Sequence, residues 1–436
     1  MICVLKILFL EGKIMNNGSS MVLSLDIGSD RTKLCAGVPV GNDRVEICAA
    51  AMVKTKGISK SVVTNSDELT ECIEALVKKL EGNKKKLKRF VYVAKNKNIK
   101  VNSIYLTIGG EHILTVNSKS ALRLSERPVL VSRHDVSRLM DTAKSLQRCV
   151  NREIIHLLPQ EFMVDGYKRL KDPEGVCGCM LTAKLHTISC EASFMQNLIN
   201  VVNNAGISVE DVIYSGLAAS FSALTKQQKH AGVILLEFGA ETVDALFFKE
   251  DSLQWTSVIP FGAKDITLEI AENLSVTFMQ AEQLKMQYKS MPDDSMYKII
   301  VKKKSADYNT IIPQYLTAVV DKKLFEIMFF IKKELELSGI LSKADAGIVI
   351  SGGMSFMDGF TAKLQEFMGV MVKFGIMRGF VSNLPAAGSN FYAAGIGAVM
   401  YAIDKNRNKP VKMSMRRRDI FRQIVGNVKD MYNDYF

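Results

Sequence analysis

The sequence lacks any apolar run long enough to cross a membrane as a helix, which requires about 20 consecutive apolar residues. The apolar segment 2–10 resembles the hydrophobic part of a signal peptide. However, Lys6 interrupts it, Glu11 follows it, and no small-residue cleavage site comes after it. We interpret residues 1–20 as an N-terminal extension, with Met15 and Met21 as alternative starts.

The sequence also lacks the cysteine spacing of a zinc site or a disulfide framework. Its eight cysteines are scattered, and the C-x-C pair Cys177 and Cys179 has no second pair at metal-binding distance. This pattern predicts buried or inert thiols in a reducing, cytosolic compartment, with metal or redox use as the alternative.

Positive charge is in excess: the formal net charge is +12, which fits an anionic partner. One basic run spans residues 78–100 and contains a single acid, Glu81; a second cluster lies near the C-terminus. Neither has an RNA-binding aromatic signature or zinc-finger spacing, so we predict no nucleic-acid partner. We interpret 78–100 as a solvated surface, with auxiliary lipid contact as the alternative.

Helix-like and strand-like patterns alternate along the 436 residues, and 47% of them are hydrophobic. This combination predicts an α/β fold of two or three domains. A strand, a tight turn and a strand occur at residues 21–40 and again at 232–248. Asp26-Ile27-Gly28-Ser29-Asp30 in the first turn matches Glu237-Phe238-Gly239-Ala240-Glu241 in the second, which predicts two related lobes.

A third buried strand ends at Gly352-Gly353, so three glycine turns follow three buried strands. Glycine lets backbone N–H groups approach phosphate oxygens without a Cβ in the way, although each turn alone could be a simple hairpin. Asp26 is placed to hold a magnesium ion through water, and Lys33 could neutralise phosphate charge.

These turns resemble the actin/Hsp70/sugar-kinase superfamily and, within it, the FtsA family of bacterial cell-division proteins. The most specific stretch is 152–166, followed by 172–175 and Gly178; Gly57-Ile58-Ser59-Lys60 is also similar. The resemblance implies a two-lobed actin-like fold with an inserted subdomain. The expected divisions are an extension at 1–20, lobe I at 21–110 and 181–231, the insertion at 111–180, the lobe II core at 232–262 and 345–403, its upper subdomain at 263–344, and a linker with a membrane helix at 404–436.

The resemblance implies that ATP and Mg²⁺ bind in a cleft, and that Glu282 and Lys285 reach the ribose, although a solvated charged face is the alternative. Two residues depart from the family pattern, because Glu241 replaces a phosphate-loop glycine and Met354 a small residue. A carboxylate such as that of Glu241 and a phosphate about 4 Å from it carry like charges, and their repulsion costs about 4 kcal/mol at a surface-like dielectric. We therefore expect at most weak ATP hydrolysis. The expected cofactor-binding residues are Asp26, Gly28, Ser29, Lys33, Glu237, Gly239, Thr242, Asp244, Glu282, Lys285, Gly352, Gly353 and Met354.

The C-terminal residues have the spacing of an amphipathic helix, with an apolar stripe on one face. Three arginines lie at its N-terminal end, where the helix dipole disfavours cations and anionic lipid would compensate. We predict a membrane-binding helix, with packing on its own domain as the alternative. The predicted membrane-binding residues are Arg416, Arg417, Arg418, Ile420, Phe421, Arg422, Ile424, Val425 and Val428.

The FtsA resemblance further implies self-association into filaments, tethering of the FtsZ polymer to the cytoplasmic side of the cell membrane at the septum, and recruitment of later divisome proteins. A PilM-like pilus assembly adaptor is one alternative, which would not need the lipid-binding helix. A sugar or acetate kinase is another, but it requires a catalytic carboxylate in a substrate pocket, and the sequence offers no clear candidate.

Overall fold

The computed structural model describes residues 21–41, 44–82, 103–286, 288, 299–302, 308–376, 379–382 and 390–407. The predicted extension 1–20, the basic run from residue 83 onward and the predicted membrane helix lie outside the described residues. Within the described ranges, none of the helices has the length and apolar character needed to span a membrane.

Strands and helices are numbered here in chain order. The first half contains β1 (Val22–Ile27), β2 (Arg31–Val40), β3 (Arg44–Lys54), β4 (Ile58–Ser59), β5 (Val62–Val63), α1 (Ser66–Gly82), β6 (Ser103–Ile108), β7 (Ile113–Arg123), β8 (Val129–Leu130), α2 (Arg133–Leu146), β9 (Arg152–Val164), β10 (Tyr167–Leu170), β11 (Cys177–Gly178), β12 (Met180–Glu191), α3 (Ala192–Asn204), β13 (Ser208–Tyr214), α4 (Ser215–Ala223) and α5 (Lys226–Ala231).

The second half contains β14 (Val233–Phe238), β15 (Val243–Lys249), β16 (Ser252–Ile259), α6 (Ala263–Asn273), α7 (Phe278–Met286), β17 (Ile299–Lys302), β18 (Tyr308–Ile311), α8 (Pro313–Leu337), β19 (Ile348–Gly352), α9 (Phe360–Met368), β20 (Val372–Phe374), β21 (Phe380–Ser382) and α10 (Ala393–Arg407). Short 3₁₀ turns occupy Leu341–Lys343, Gly353–Phe356 and Asn390–Tyr392.

The two lobes contain sheets of the same design. In lobe I the strand order is β13-β6-β1-β2-β3-β21, and in lobe II it is β16-β15-β14-β19-β20. In each sheet, three strands that follow one another in the chain pair antiparallel. The first of these three also pairs in parallel with a fourth strand, and the fourth pairs in parallel with a fifth. The fourth and fifth strands are β6 and β13 in lobe I, and β19 and β20 in lobe II. The two lobes are thus related in structure, as the two matching turns predicted.

Helices cover both faces of the lobe I sheet. On one face α1 buries Leu69, Ile73, Leu76 and Leu80, the helically spaced apolar residues of its sequence, in a core that α3 shares. On the other face α10 packs through Ile396 and Val399. The core of lobe II includes α6, α8 and α9, so the predicted upper subdomain shares one continuous core with the lobe II sheet.

The structure corrects two predicted domain boundaries. The boundary at residue 180 cuts through β12, which pairs with β7 and β9 in the four-stranded sheet β10-β9-β12-β7 and therefore belongs to the inserted subdomain. The segment 393–403, expected in lobe II, forms most of α10 and packs on lobe I. This helix also extends to Arg407 into the predicted linker, where Lys405 pairs with Asp211 of β13 at 2.6 Å.

The inserted subdomain contacts lobe II through polar groups on β16. Gln160 and Asn117 each donate to the backbone carbonyl of Gln254, at 3.0 and 2.9 Å. His186 lies 3.0 Å from the Thr256 hydroxyl, and burial lowers the pKa of this histidine to about 4. The insertion is therefore held on lobe II by hydrogen bonds to β16 and by an ion pair between Lys171 and Asp251, just before β16.

Candidate nucleotide cleft

The two glycine turns have the same backbone geometry. In the first, the Gly28 N–H donates to the Arg31 carbonyl at 3.2 Å, and in the second, the Gly239 N–H donates to the Thr242 carbonyl at 2.9 Å. A Cβ added to Gly28 would lie about as close to the Arg31 carbonyl oxygen as the Gly28 nitrogen does. A Cβ added to Gly239 would lie about as close to the Thr242 carbonyl oxygen as the Gly239 nitrogen does. The registers also correspond: Asp26 pairs with Lys33 across the first hairpin, as Glu237 does with Asp244 across the second.

The charges of the first turn are balanced. The Lys33 ammonium lies 2.9 Å from the Asp26 carboxylate, which is only 7% exposed and also accepts a 2.8 Å hydrogen bond from the Thr107 hydroxyl. Burial alone would lower the pKa of Lys33, but Asp26, with a contribution from Glu237, raises it above its usual value. Lys33 is therefore a fully charged cation that Asp26 already neutralises.

The second turn carries two acids at the equivalent positions. Burial and the nearby Asp244 and Asp26 raise the pKa of Glu237 well above its usual value. Burial and Asp26 raise the pKa of Asp244 to about 6, even though Ser215 donates to its Oδ2 at 3.0 Å. Its other oxygen, Oδ1, is buried and lacks a hydrogen-bond partner among the described residues. Because Asp26 of lobe I acts electrostatically on both of these carboxyls of lobe II, the two turns converge on one acidic cleft.

Glu241 also lies where the turns meet. Its Oε1 accepts a 2.8 Å hydrogen bond from Lys264 in the first turn of α6, and its side chain is 12% exposed. Burial raises the pKa of Glu241, but Lys264, the Ser29 hydroxyl and the Lys60 backbone amide outweigh this effect and hold the pKa below its usual value. Glu241 is thus an ionised carboxylate that contacts groups of both lobes.

Glu282 and Lys285 lie on α7, behind the second turn. The Lys285 side chain is 8% exposed, and its ammonium donates to Glu282 and Thr267 at 2.7 Å and to the Ala263 carbonyl at 3.0 Å. The Ala263 N–H in turn donates to the Gly239 carbonyl at 3.1 Å. The pair therefore supports the start of α6 against the second turn, and its contact with a ribose stays a prediction.

The third turn brings backbone rather than side chains to the cleft edge. Gly352 has φ +87, and a Cβ there would lie 2.3 Å from the Phe238 carbonyl, so only glycine fits without strain. Gly353 is exposed, whereas the Met354 side chain is 1% exposed and belongs to the lobe II core. The buried Ser351 hydroxyl lacks a partner in the described part of the chain. The larger side chain at 354 is accommodated in the core instead of projecting over the turn.

Two residues that hold the acids in place were not identified from the sequence. Thr107 lies near the end of β6, and Ser215 directly follows β13. Since β1, β6 and β13 run parallel, their carboxyl ends meet at one edge of the sheet. The polar residues at those strand ends were the available signal.

The described residues contain no group of three or more histidine, cysteine or acidic side chains arranged to enclose a metal ion. The site instead has several separate carboxylates, glycine turns, and the lysines Lys33, Lys264 and Lys285, each paired with an acid. Such an arrangement suits a hydrated cation that an anionic ligand brings with it, because magnesium retains water and takes few protein ligands.

Two lobes of the same design, with matching glycine turns facing one cleft, define an actin-like fold. Solved structures support this class. The PilM-PilN type IV pilus biogenesis complex matches with a TM-score of 0.61 at 14% identity, over 88% of this chain and 98% of that one. MreB5 of Spiroplasma citri bound to ADP matches with a TM-score of 0.50 at 11% identity, over 89% and 99%.

Family models identify the chain more narrowly. Residues 110–189 match the SHS2 domain inserted in FTSA, and residues 234–397 match the cell division protein FtsA. FtsA of Pseudomonas aeruginosa is 25% identical over 88% of this chain and 90% of its own length, and FtsA of Escherichia coli K12 is 24% identical over 91% and 93%. The two matched segments together span more than half of the chain, which belongs to the FtsA family. This confirms the resemblance and the inserted subdomain expected from the sequence.

Proposed function

We propose that this chain binds ATP in the cleft between its two lobes and uses the nucleotide mainly as a structural ligand. The convergence of the Asp26–Lys33 turn with the Glu237–Asp244 turn is the observation that carries the proposal. The fold likeness to MreB5, a protein solved with ADP, supports it. Gly28, Ser29, Gly239, Thr242 and the Gly352-Gly353 turn would then surround the phosphates and the nucleoside.

Mg²⁺ fits the excess of negative charge in this cleft. Lys33 is the cation beside Asp26 and Glu237 in the described structure, and Asp244 Oδ1 has no well-formed hydrogen bond there. A magnesium ion bound with the nucleotide would neutralise phosphate charge, and Asp26 would hold it through water. Asp26 must then share its carboxylate between this ion and Lys33, which would release part of the lysine charge toward phosphate.

We further propose that the chain acts as a scaffold that self-associates, tethers FtsZ to the cytoplasmic face of the cell membrane at the septum and helps recruit later divisome proteins. Membership of the FtsA family supports the cell-division role. The amphipathic pattern of residues 416–435 supports membrane attachment. One helix would bind reversibly, and an array of copies tightly, because linked sites act at high effective concentration. The likeness to PilM concerns the fold alone.

Liposome co-sedimentation tests the tether. The intact chain should pellet with anionic vesicles at low salt and less at high salt, since each basic residue near the surface contributes about 1 kcal/mol. A chain ending at residue 413 should remain in the supernatant, and Arg416→Gln with Arg417→Gln and Arg418→Gln should bind about a hundredfold less, because three such residues contribute about 3 kcal/mol.

The matched control removes three exposed lysines from the body of the protein: Lys119→Gln, Lys144→Gln and Lys226→Gln. This variant loses the same charge and should pellet like the intact chain. Equal loss in both triple variants would show that net charge, rather than the terminal helix, drives binding. Pelleting of the truncated chain would contradict the membrane role of the helix.

A further inference from the structure

The Glu241 carboxylate is part of the turn that would receive phosphate. Lys264 donates to its Oε1 at 2.8 Å, while its Oε2 is buried and has no well-formed hydrogen bond in the described structure. The side chain is folded into the junction between the lobes rather than extended into solvent, because only 12% of it is exposed. An anion is therefore already held inside the cleft by the chain itself.

The groups around this carboxylate are those that bind phosphate oxygens. They are an ammonium from Lys264, a hydroxyl from Ser29 and a backbone amide from Lys60, the last two supplied by lobe I. Charged hydrogen bonds of this kind recur at phosphate sites. A phosphate group entering between the turns must compete with Glu241 for these same donors.

The surrounding charge makes that competition unfavourable for an additional phosphate. Asp26, Glu237 and Asp244 lie within electrostatic range of one another, and Lys33 is already paired with Asp26 at 2.9 Å. Each phosphate added to a nucleotide brings negative charge toward Glu241, whose pKa is lowered, and toward Asp244, whose pKa of about 6 leaves it ionised at neutral pH. Like charges repel more strongly in a partly buried site than in bulk water.

We propose that the Glu241 carboxylate occupies the place of the outermost phosphate, so that the cleft accepts a nucleoside diphosphate more readily than a triphosphate. This inference rests on nucleotide binding in the cleft, as proposed above. A diphosphate can bind while the Glu241–Lys264 pair stays intact. A triphosphate must displace the carboxylate and take Lys264 from it, and Glu241 is then the residue that determines which nucleotide the cleft prefers.

Titration calorimetry of the intact chain in Mg²⁺ tests this preference, with ADP and a non-hydrolysable ATP analogue as ligands. The wild-type chain should bind ADP about tenfold more tightly or better, a difference that repulsion between a few charges readily supplies. Glu241→Gln keeps the size of the side chain and removes its charge. It should bring the two affinities within about threefold by strengthening the binding of the ATP analogue, with little change for ADP.

Glu366→Gln is the matched control, because it removes an exposed carboxylate from α9 of the same lobe. It should keep the wild-type preference, and unchanged ADP binding by Glu241→Gln would show that this variant is folded. Equal affinities in the wild-type chain would overturn the inference while leaving nucleotide binding intact. Weaker binding of the ATP analogue by Glu241→Gln in Mg²⁺, but not in EDTA, would also overturn it by making Glu241 a cation-binding group. If neither nucleotide bound any variant, the proposed nucleotide cleft itself would fail, and this inference with it.

Discussion

The two glycine turns share a backbone and differ in charge. In lobe I the acid at the end of the strand, Asp26, faces Lys33 across the hairpin; in lobe II the equivalent acid, Glu237, faces Asp244. The first turn is a neutralised ion pair, and the second is a pair of carboxyls with raised pKa values. The repeated backbone thus provides two similar turns, but the facing side chains neutralise each other's charge only in the lobe I turn.

This difference shows that two copies of one structure can stabilise their buried charges in different ways. The balanced turn of lobe I is stable without a ligand, because each buried charge has a partner. The lobe II turn keeps buried acidic groups without matching cations, which is unfavourable until a cation arrives. We therefore expect substitutions at equivalent positions in the two turns to have unequal effects on the free energy of unfolding.

The largest effect should come from breaking the lobe I pair. Asp26→Asn leaves the part-buried Lys33 ammonium without its main counter-charge and should lower the free energy of unfolding by about 3 kcal/mol. The equivalent change in lobe II, Glu237→Gln, removes a carboxyl that burial already disfavours and should cause no loss. Urea unfolding at pH 7.5 in EDTA, without nucleotide, measures both.

Equal losses in these two variants would mean that the turns are held by the same interactions despite their different charges. A stable Asp26→Asn protein would show that the Asp26–Lys33 contact contributes little.

An intermediate effect should appear in the pH dependence of Asp244. Its pKa is raised to about 6, by burial first and by Asp26. The folded state therefore binds more protons than the unfolded state between about pH 4 and pH 6, so stability from this group is present at low pH and lost as pH rises through that window. Asp244→Asn should be more stable than wild type by about 2 kcal/mol at pH 7.5 and equal to it near pH 4.

The difference between variant and wild type is the quantity to measure. Burial lowers the pKa of His156 to about 3 and that of His186 to about 4. The stability that these two neutral histidines give the folded state is therefore lost as pH falls below about 6.5, in the variant and in the wild type alike. Their contribution cancels in the difference. A difference that did not change between pH 4 and pH 7.5 would contradict the raised pKa of Asp244.

The smallest effects should come from the hydroxyls that hold the acids. Ser215→Ala removes the 3.0 Å hydrogen bond to Asp244, and Thr107→Val removes the 2.8 Å hydrogen bond to Asp26. Each should cost about 1 kcal/mol at pH 7.5. Only Ser215→Ala should also shift the pH profile, because it raises the pKa of Asp244 further. A similar shift in Thr107→Val would remove this distinction between the turns.

The local parts of this fold could be predicted from the sequence. Each turn is one short segment in which a buried strand, an acid and a glycine follow one another, so both hairpins and their repetition were recognisable. The helices α1 and α8 could also be predicted, because their apolar residues recur at helical spacing over several turns.

The parts that depend on distant contacts could not be predicted. Helix α10 follows the strands of lobe II in sequence but packs on α4 of lobe I, where Gly397 approaches the Ala218 carbonyl so closely that a Cβ would lie 1.8 Å from it. Nothing in a short window indicates which lobe such a small-residue surface will meet. The Glu241–Lys264 pair likewise joins a turn to a later helix, so the sequence revealed the unusual acid and not its partner.

Hydrogen–deuterium exchange of the intact protein, with and without Mg²⁺ and ADP, tests most directly whether the two turns form one nucleotide cleft. We expect nucleotide to slow exchange together in residues 26–33, 237–244 and 351–354, because the three turns would then surround one ligand. Protection confined to the turns of one lobe, or none in any of these segments at saturating nucleotide, would contradict it.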